Sequence, residues 1–356
     1  MKIAVLPGDG IGPEVTRAAV EVARAVSEKF SIPLEFKYGD IGGAAIDKSG
    51  VPLPAETITL CTNSDAVLLG AVGGPKWDGV DPEIRPETGL LQLRKVLSTF
   101  ANIRPAKIYE ALSADSPLKA EIVANGIDIH IVRELTGGIY FGDKGEKTRS
   151  GLKMAFDEKA YSEPEVERVA VLAFEAARAR RGKLTSVDKA NVLRSSRLWR
   201  GVVDRMSADY PDVEVNHMYV DNAAMQLIID PSQFDVILTG NMFGDILSDE
   251  AGAITGSIGL LPSASVGANR VGLYEPVHGS APEIAGEGKA NPVAAILSAA
   301  MLFRYTGQYT EVADTIEKAV ESVLEKGIRT ADIAKDKSKA VTTEEVTKAI
   351  ISKICE

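Results

Sequence analysis

Short apolar runs alternate with segments of helical period from the first residues onward. Ile3 to Leu6 is an apolar run ended by Pro7-Gly8-Asp9-Gly10. Val15, Ala18, Ala19, Val22 and Val26 then recur at the spacing of one helical face. Ala66 to Leu69, Ile129 to Val132, Leu184 to Val187 and Val236 to Leu238 predict further buried strands, most of them leading through turn residues into a helix. Val166, Val169, Ala170, Ala173, Phe174 and Ala177 predict one face of a helix over 163–181, and Val312, Ile316, Ala319, Val320, Val323 and Leu324 repeat the pattern. The longest apolar stretch, Pro292 to Phe303, is too short to cross a bilayer and predicts a buried helix with Pro292 in its first turn. This alternation predicts an α/β fold with a largely parallel sheet. No repeat or long linker interrupts it, so a second domain is expected to be inserted in the first or to share its sheet. Gly137-Gly138-Ile139-Tyr140-Phe141-Gly142, polar from there to Ser150, breaks the alternation. It predicts an extended hairpin: an arm crossing to a partner subunit, or a surface loop.

A chain of 356 residues is long enough for two domains. A net charge of −10 and a pI near 5.1 argue against binding nucleic acid or acidic lipid, which needs a positive field. Local arginines can still hold an anionic substrate. Cys61 and Cys355 offer neither a zinc-type spacing nor a disulfide framework. They are expected to be reduced thiols, and with a strand beginning at Lys2 the expected location is the cytoplasm.

Gly8-Asp9-Gly10-Ile11-Gly12-Pro13-Glu14 suits a tight strand-to-helix turn. It fails the Gly-x-Gly-x-x-Gly spacing of a Rossmann phosphate loop, because position 13 is proline. Asp245 and Asp249 lie four apart and would share a helical face. Such a pair is either a solvated acidic face or, with the repulsion relieved by a divalent cation, an oxygen-ligand site for Mg²⁺ or Mn²⁺. Asp221 could add a third carboxylate. Arg94, Arg104 and Arg133 stand near expected element ends. Singly each reads as a surface ion pair, together as a clamp for a dianionic acid. Lys189 directly follows a buried strand, where open α/β sheets place ligands. Tyr140 on the expected arm has packing as its ordinary role. His278-Gly279-Ser280-Ala281-Pro282-Glu283-Ile284 leads to Asn291 through small residues that let a ligand approach the backbone. Glu283 could accept hydrogen bonds from both ribose hydroxyls of NAD and would repel the extra phosphate of NADP.

Five segments taken in order carry a family resemblance: residues 6–14, Gly73-Gly74-Pro75-Lys76-Trp77-Asp78, Arg133-Glu134-Leu135-Thr136-Gly137-Gly138, residues 241–249 and His278-Gly279-Ser280-Ala281-Pro282. Over essentially its whole length the chain resembles the β-decarboxylating dehydrogenases, whose members act on isopropylmalate, isocitrate, homoisocitrate or tartrate. Arg85-Pro86-Glu87-Thr88-Gly89-Leu90-Leu91-Gln92-Leu93-Arg94 resembles the branch acting on 3-isopropylmalate. There the positions matching Glu87, Leu90 and Leu91 border the isopropyl group, and Val192 matches another pocket residue.

The resemblance implies two α/β domains with a large shared sheet, not a Rossmann domain. The cofactor-side domain would comprise 1–100 and 255–356, and the second domain 101–254, with a dimer-forming arm near 137–155. It implies a homodimer with shared active sites. Arg94, Arg104 and Arg133 would hold the carboxylates of the substrate. Asp245 and Asp249 of one subunit, with Asp221 of the other, would hold Mg²⁺ or Mn²⁺ and, through it, the substrate. Lys189, from the partner, would be the general base, directly or through a water, and Tyr140 the acid that protonates the enolate carbon. Ile11, Gly74, Glu87 and Gly259 would line the cofactor site, and the loop from His278 through Gly279, Ser280, Ala281, Pro282, Glu283 and Ile284 to Asn291 would hold the adenosine half of NAD. The usual aspartate after Ser-Ala-Pro is here Glu283, which keeps the charge and both acceptors but reaches further. The expected reaction is NAD-dependent oxidative decarboxylation of 3-isopropylmalate in leucine biosynthesis. The alternatives are homoisocitrate, isocitrate, tartrate or D-malate as substrate and, more remotely, a noncatalytic regulatory subunit.

Overall fold

The computed structural model describes residues 1–268 and 271–356. In chain order the elements are β1 (Lys2–Gly8), α1 (Gly12–Lys29), β2 (Glu35–Tyr38), α2 (Gly42–Ser49), α3 (Ala55–Thr62), β3 (Ala66–Ala71), α4 (Pro86–Val96), β4 (Thr99–Lys107), α5 (Ala120–Val123), β5 (Asp128–Glu134), β6 (Lys144–Arg149), β7 (Leu152–Asp157), α6 (Glu163–Arg178), β8 (Lys183–Asp188), α7 (Arg194–Ser207), β9 (Glu214–Tyr219), α8 (Val220–Ile229), β10 (Val236–Thr239), α9 (Asn241–Ile254), β11 (Pro262–Gly267), β12 (Gly272–Pro276), α10 (Val293–Tyr305), α11 (Thr310–Glu325) and α12 (Thr343–Cys355). The chain divides into two compact units. The first comprises Met1–Thr99, Ile108–Pro117 and Thr255–Glu356, and the second Phe100–Lys107 and Leu118–Ile254.

The first unit orders its strands β2-β1-β3-β12-β11. β1, β2, β3 and β12 run parallel, and β11 pairs antiparallel with β12. β3 is buried at every position, as its unbroken apolar run requires of a strand covered on both faces. Against it pack Ala4, Leu6, Ile41, Leu53, Leu93 and Leu273. α10 is buried from Val293 to Phe303, which accounts for its lack of a polar face. Pro292 stands at its N-cap, one position before the first turn expected to contain it, and the Asn291 side chain accepts from the Val293 amide there at 3.1 Å.

The second unit orders its strands β4-β5-β10-β8-β9, with β4 antiparallel to β5 and the rest parallel. β5, β10 and β8 are neighbours and run the same way. Their carboxyl ends therefore deliver Arg133, Asn241 and Lys189 to one edge of the sheet, where open α/β sheets hold ligands. α6 ends three residues earlier than the expected 163–181. Gly182, at φ +73°, donates its amide back to Ala177 O, while Arg180 Nε and the Arg181 amide turn to the buried Asp235. The hairpin β6–β7 spans 144–157, against an arm expected near 137–155, because the polar first strand pairs residue for residue with a second one carrying the exposed Leu152, Met154 and Phe156. Tyr140 lies before it, on a 3-10 turn from Gly138 to Tyr140.

Phe174 is fully buried on α6, with its ring stacked on Tyr210 at 4.4 Å between centroids. Phe174→Ala is expected to lower unfolding stability by about 3–5 kcal/mol, as a cavity left by a core aromatic does. Urea denaturation reads this directly, and a loss under about 1 kcal/mol would contradict the packing described.

Candidate active site

α9 places Asp245 and Asp249 one turn apart, as their spacing predicts. Their repulsion is met from the strands beside the helix. Arg133, near the end of β5, pairs through Nη1 with Asp245 Oδ1. Its Nε and Nη2 both donate to Asn241 Oδ1, at 3.0 and 2.7 Å. Arg104 on β4 is fixed by Asn102 Oδ1 at 2.7 Å and Ser248 Oγ at 2.6 Å, which holds Nη1 3.4 Å from Asp249 and 3.6 Å from Asp245. Tyr140 donates to Asp245 Oδ2 at 3.2 Å. Its phenol is pushed above the ordinary tyrosine value by burial and then by the Asp245 charge, so it stays a proton donor. Burial likewise raises the Asp249 carboxyl, with Arg104 opposing and Asp245 adding to the shift.

Asn241 ties this arrangement together. Its Nδ2 donates to Leu135 O and Gly137 O, both at 3.1 Å, and its amide donates to Tyr161 Oη at 2.8 Å. Gly244 allows the close approach of α9 to β5, since a Cβ there would stand 2.7 Å from Arg133 Cβ and Cγ. Asn241, Ser248, Asn102 and Tyr161 were not singled out from the sequence. Asn241 and Ser248 lie inside the segment 241–249, but nothing in their spacing reveals contacts across more than 100 residues.

Lys189 and Asp221 form a second pair, Nζ to Oδ1 at 2.6 Å. Lys189 follows β8 directly, and its amide donates to Ser196 Oγ at 3.1 Å. Asp221 is held below the usual carboxylate range by Lys189. Among the described residues no three His, Cys, Asp or Glu side chains gather as a metal site. Asp221 keeps company with Lys189, not with Asp245 and Asp249. Val192, in the turn after Lys189, is 62% exposed.

In the first unit, Arg94 on α4 is buried and pairs with Glu275 at 2.7 Å, leaving Nε without a partner. Leu90 is half-buried against the core and Leu91 is 40% exposed, so Leu91 offers the more accessible apolar surface of the two. The Gly8–Glu14 loop is no open phosphate cradle. The Ile11 amide donates to Ser280 O at 2.8 Å, and a Cβ on Gly10 would stand 1.9 Å from that oxygen. Asp9, also not singled out beforehand, accepts from the amides of Gly43, Ala44 and Gly73 and so sets the turn into Gly74. A Cβ on Gly73 would come 2.6 Å from Glu87 Oε1, which puts Glu87 beside that turn.

The segment from His278 onward has the features of a ligand loop. Ala281 adopts φ +37°, an uncommon conformation for a residue with a Cβ, and Pro282–Ile284 form a 3-10 turn that presents Glu283 to solvent. Burial depresses the His278 imidazole, keeping it neutral. With Nδ1 bonded to Gly279 O at 2.9 Å, the proton sits on Nδ1, and the buried Nε2 is an acceptor without a partner. Gly279 has open space where a Cβ would stand. Asn291 is committed within the fold, donating to Asp332 Oδ2 at 2.9 Å. Asp332 also accepts from Ser257 and Thr330, and Gly259 fits against it with room for no side chain. A cavity of about 250 Å³ lies alongside, lined by Asp332, Thr255, Gly256, Leu112 and Lys335. Asp332 carries no motif signal of its own.

The residues fit both groups implied by the resemblance. An orphaned acceptor on a ring beside an exposed carboxylate suits a nucleotide, and two carboxylates one helical turn apart are the hard oxygen donors a divalent cation takes. Gly244→Ala is expected to move α9 off Arg133 and cost about 1–3 kcal/mol of stability, with turnover lost out of proportion. Thermal unfolding and steady-state rates measured together test this, and unchanged turnover would contradict the role given to the close approach.

Known proteins complete the picture. The isocitrate/isopropylmalate dehydrogenase family matches residues 2–350. A 3-isopropylmalate dehydrogenase of Clostridium acetobutylicum is 54% identical over 353 residues, 99% of each chain. One of Oleidesulfovibrio alaskensis is 59% identical over 335 residues, 94% of each. Among solved structures, an isocitrate dehydrogenase of Methylococcus capsulatus superposes with a TM-score of 0.87 at 35% identity, over 100% of this chain and 99% of the other. A β-decarboxylating dehydrogenase of Thermococcus kodakarensis gives 0.81 at 37% identity, over 99% and 96%. The α/β fold class expected from the resemblance is the one found, and the chain belongs to the isocitrate/isopropylmalate dehydrogenase family.

Proposed function

We propose that this enzyme oxidises 3-isopropylmalate with NAD⁺ and releases CO₂, giving 4-methyl-2-oxopentanoate and NADH, a reaction that serves leucine biosynthesis. The observation that carries the reading is the gathering of Asp245, Asp249, Arg104, Arg133 and Tyr140 about α9, with Lys189 and Asp221 as a separate pair. Relatives named 3-isopropylmalate dehydrogenase, matched over nearly the whole chain, support the substrate. The apolar Leu91 and Val192, both exposed in a single chain, support a branched alkyl group over a third carboxylate.

In this reading the catalytic unit is a homodimer. Asp245 and Asp249 of one subunit and Asp221 of its partner hold Mg²⁺ or Mn²⁺. A single chain that keeps Asp221 apart from the other two aspartates is what such sharing needs. A bound cation supplies positive charge that favours the deprotonated 2-hydroxyl and the enolate left after CO₂ departs, while NAD⁺ supplies the hydride acceptor. Arg94, Arg104 and Arg133 bind and orient the two carboxylates. Lys189 takes the hydroxyl proton as the neutral amine and becomes the ammonium, and the carboxylate of Asp221 positions its nitrogen. Tyr140, kept protonated by burial and by Asp245, returns a proton to the enolate carbon. Glu283 receives the ribose hydroxyls of NAD, and His278 Nε2 offers an acceptor to the adenosine half. The free thiols of Cys61 and Cys355 suit a cytoplasmic enzyme.

Lys189→Ala is expected to lower turnover by orders of magnitude while substrate affinity is largely kept, and Tyr140→Phe to spare hydride transfer more than proton return. Subunit mixing tests the shared site. Lys189→Ala and Asp245→Asn homodimers are each expected to be nearly inactive, and refolding them together to recover activity, because a mixed dimer has one intact site. No recovery despite confirmed mixed dimers would show that each site is built from one chain.

A further inference from the structure

Tyr161 stands between β7 and α6, and three segments of the second unit meet on its side chain. The first is the turn that carries Tyr140. A Cβ on Gly137 would come 2.9 Å from Tyr161 Cε1, and one on Gly138, at φ +73°, would strike Tyr161 Oη. The Gly138 amide donates to Ala160 O at 3.1 Å, so backbone and ring seat the same turn. The second is the start of α9. A Cβ on Gly240 would stand 3.0 Å from Tyr161 Oη. Glycine there leaves no side chain to cap the helix, while Gly240 O takes the Gly244 amide at 2.8 Å. The Asn241 amide is one of the first-turn donors that a helix cannot satisfy itself, and it goes to Tyr161 Oη at 2.8 Å. The third is α7, where the buried Trp199 meets the Tyr161 ring edge to face, with centroids 5.3 Å apart. Behind Tyr161, Ser162 and Glu165 close a capping box at the start of α6. Burial, then the Glu134 charge, push the Tyr161 phenol above the ordinary tyrosine range, so it stays a neutral hydroxyl that accepts from the Asn241 amide. Both members of the Tyr140–Asp245 hydrogen bond are therefore carried by backbone that rests on one side chain.

We propose that Tyr161 is a positioning residue for the proton return: its ring and hydroxyl set where the Tyr140 phenol lies relative to α9. The proposal rests on the reading of Tyr140 as the acid. In that step the Tyr140 phenol gives its proton to the enolate carbon and recovers one from solvent, so its oxygen must stand on one face of that carbon. Removing the Tyr161 hydroxyl strips the Asn241 amide of its acceptor and loosens the start of α9 against the turn. A misplacement of about 1 Å made away from the reacting atoms costs on the order of a hundredfold in rate.

The test uses Tyr161→Phe, which keeps the ring that Gly137 and Gly138 make room for and removes only the acceptor. 3-Isopropylmalate is turned over in D₂O, short reactions are quenched into borohydride, and the handedness of the deuterium at C3 of the product is read by NMR. The wild-type enzyme is expected to place deuterium on one face alone, and Tyr140→Phe to give a mixture, because the released enol takes its deuteron from solvent. Tyr161→Phe is expected to give a mixture too, with turnover lowered about tenfold to a hundredfold and the KM for isopropylmalate little changed. A purely structural role would lower thermal stability and turnover yet leave the label on one face. A single handedness in Tyr161→Phe beside a mixture in Tyr140→Phe would overturn the proposal and spare the acid. A single handedness in Tyr140→Phe as well would sink the assignment of the acid, and the positioning role with it.

Discussion

The carboxylate of Asp245 is the point on which the site turns. Two aspartates one turn apart weaken an isolated helix by a few tenths of a kcal/mol, and partial burial raises the cost. α9 bears them because Arg133 meets Asp245 from β5, Arg104 stands within reach of both from β4, and Tyr140 donates from the turn that follows β5. Each arginine is fixed by a neutral partner as well as by charge: Arg133 by Asn241, Arg104 by Asn102 and Ser248. The guanidinium groups are therefore oriented by the fold itself, which under the proposed function lowers the entropic cost of binding a dianion.

The same logic of close approach shapes the first unit. Gly10, Gly12 and Gly70 are packed where a Cβ would strike backbone atoms, so β1, β3, α1 and the loop after β12 meet with no side chains between them. Asp9 pays for its burial with three backbone amides and thereby fixes the turns around Gly43 and Gly73. Backbone packed this tightly makes a rigid floor beside His278, whose free acceptor, and beside Glu283, whose exposed carboxylate, are the features a nucleotide would engage.

The strands and helices were legible where one periodicity dominated. β3, β5, β8 and β10 fall on the apolar runs, and α9 carries Asp245 and Asp249 on one face as the spacing requires. Element ends were less legible, because they depend on distant partners. α6 stops where Asp235, more than 50 residues further on, collects Arg180 and Arg181. The charged residues of the site could be found as residue types in a pattern, whereas Asn241, Asn102, Ser248, Asp9 and Asp332 act through contacts that no local spacing encodes. Leu90 shows the limit of reading a pair of residues alike. The helix that exposes Leu91 turns its neighbour toward the core, a distinction visible only once α4 has a place to pack.

One measurement tests the central claim most directly: NADH formation from threo-3-isopropylmalate with Mn²⁺, beside isocitrate, homoisocitrate, tartrate and D-malate, with NADP⁺ in parallel. The account predicts a strong preference for isopropylmalate and for NAD⁺, abolished by chelating the metal. Preference for a substrate with a third carboxylate, or equal use of NADP⁺, would contradict the roles given to Leu91, Val192 and Glu283. Turnover that survives chelation would contradict the role given to Asp245 and Asp249.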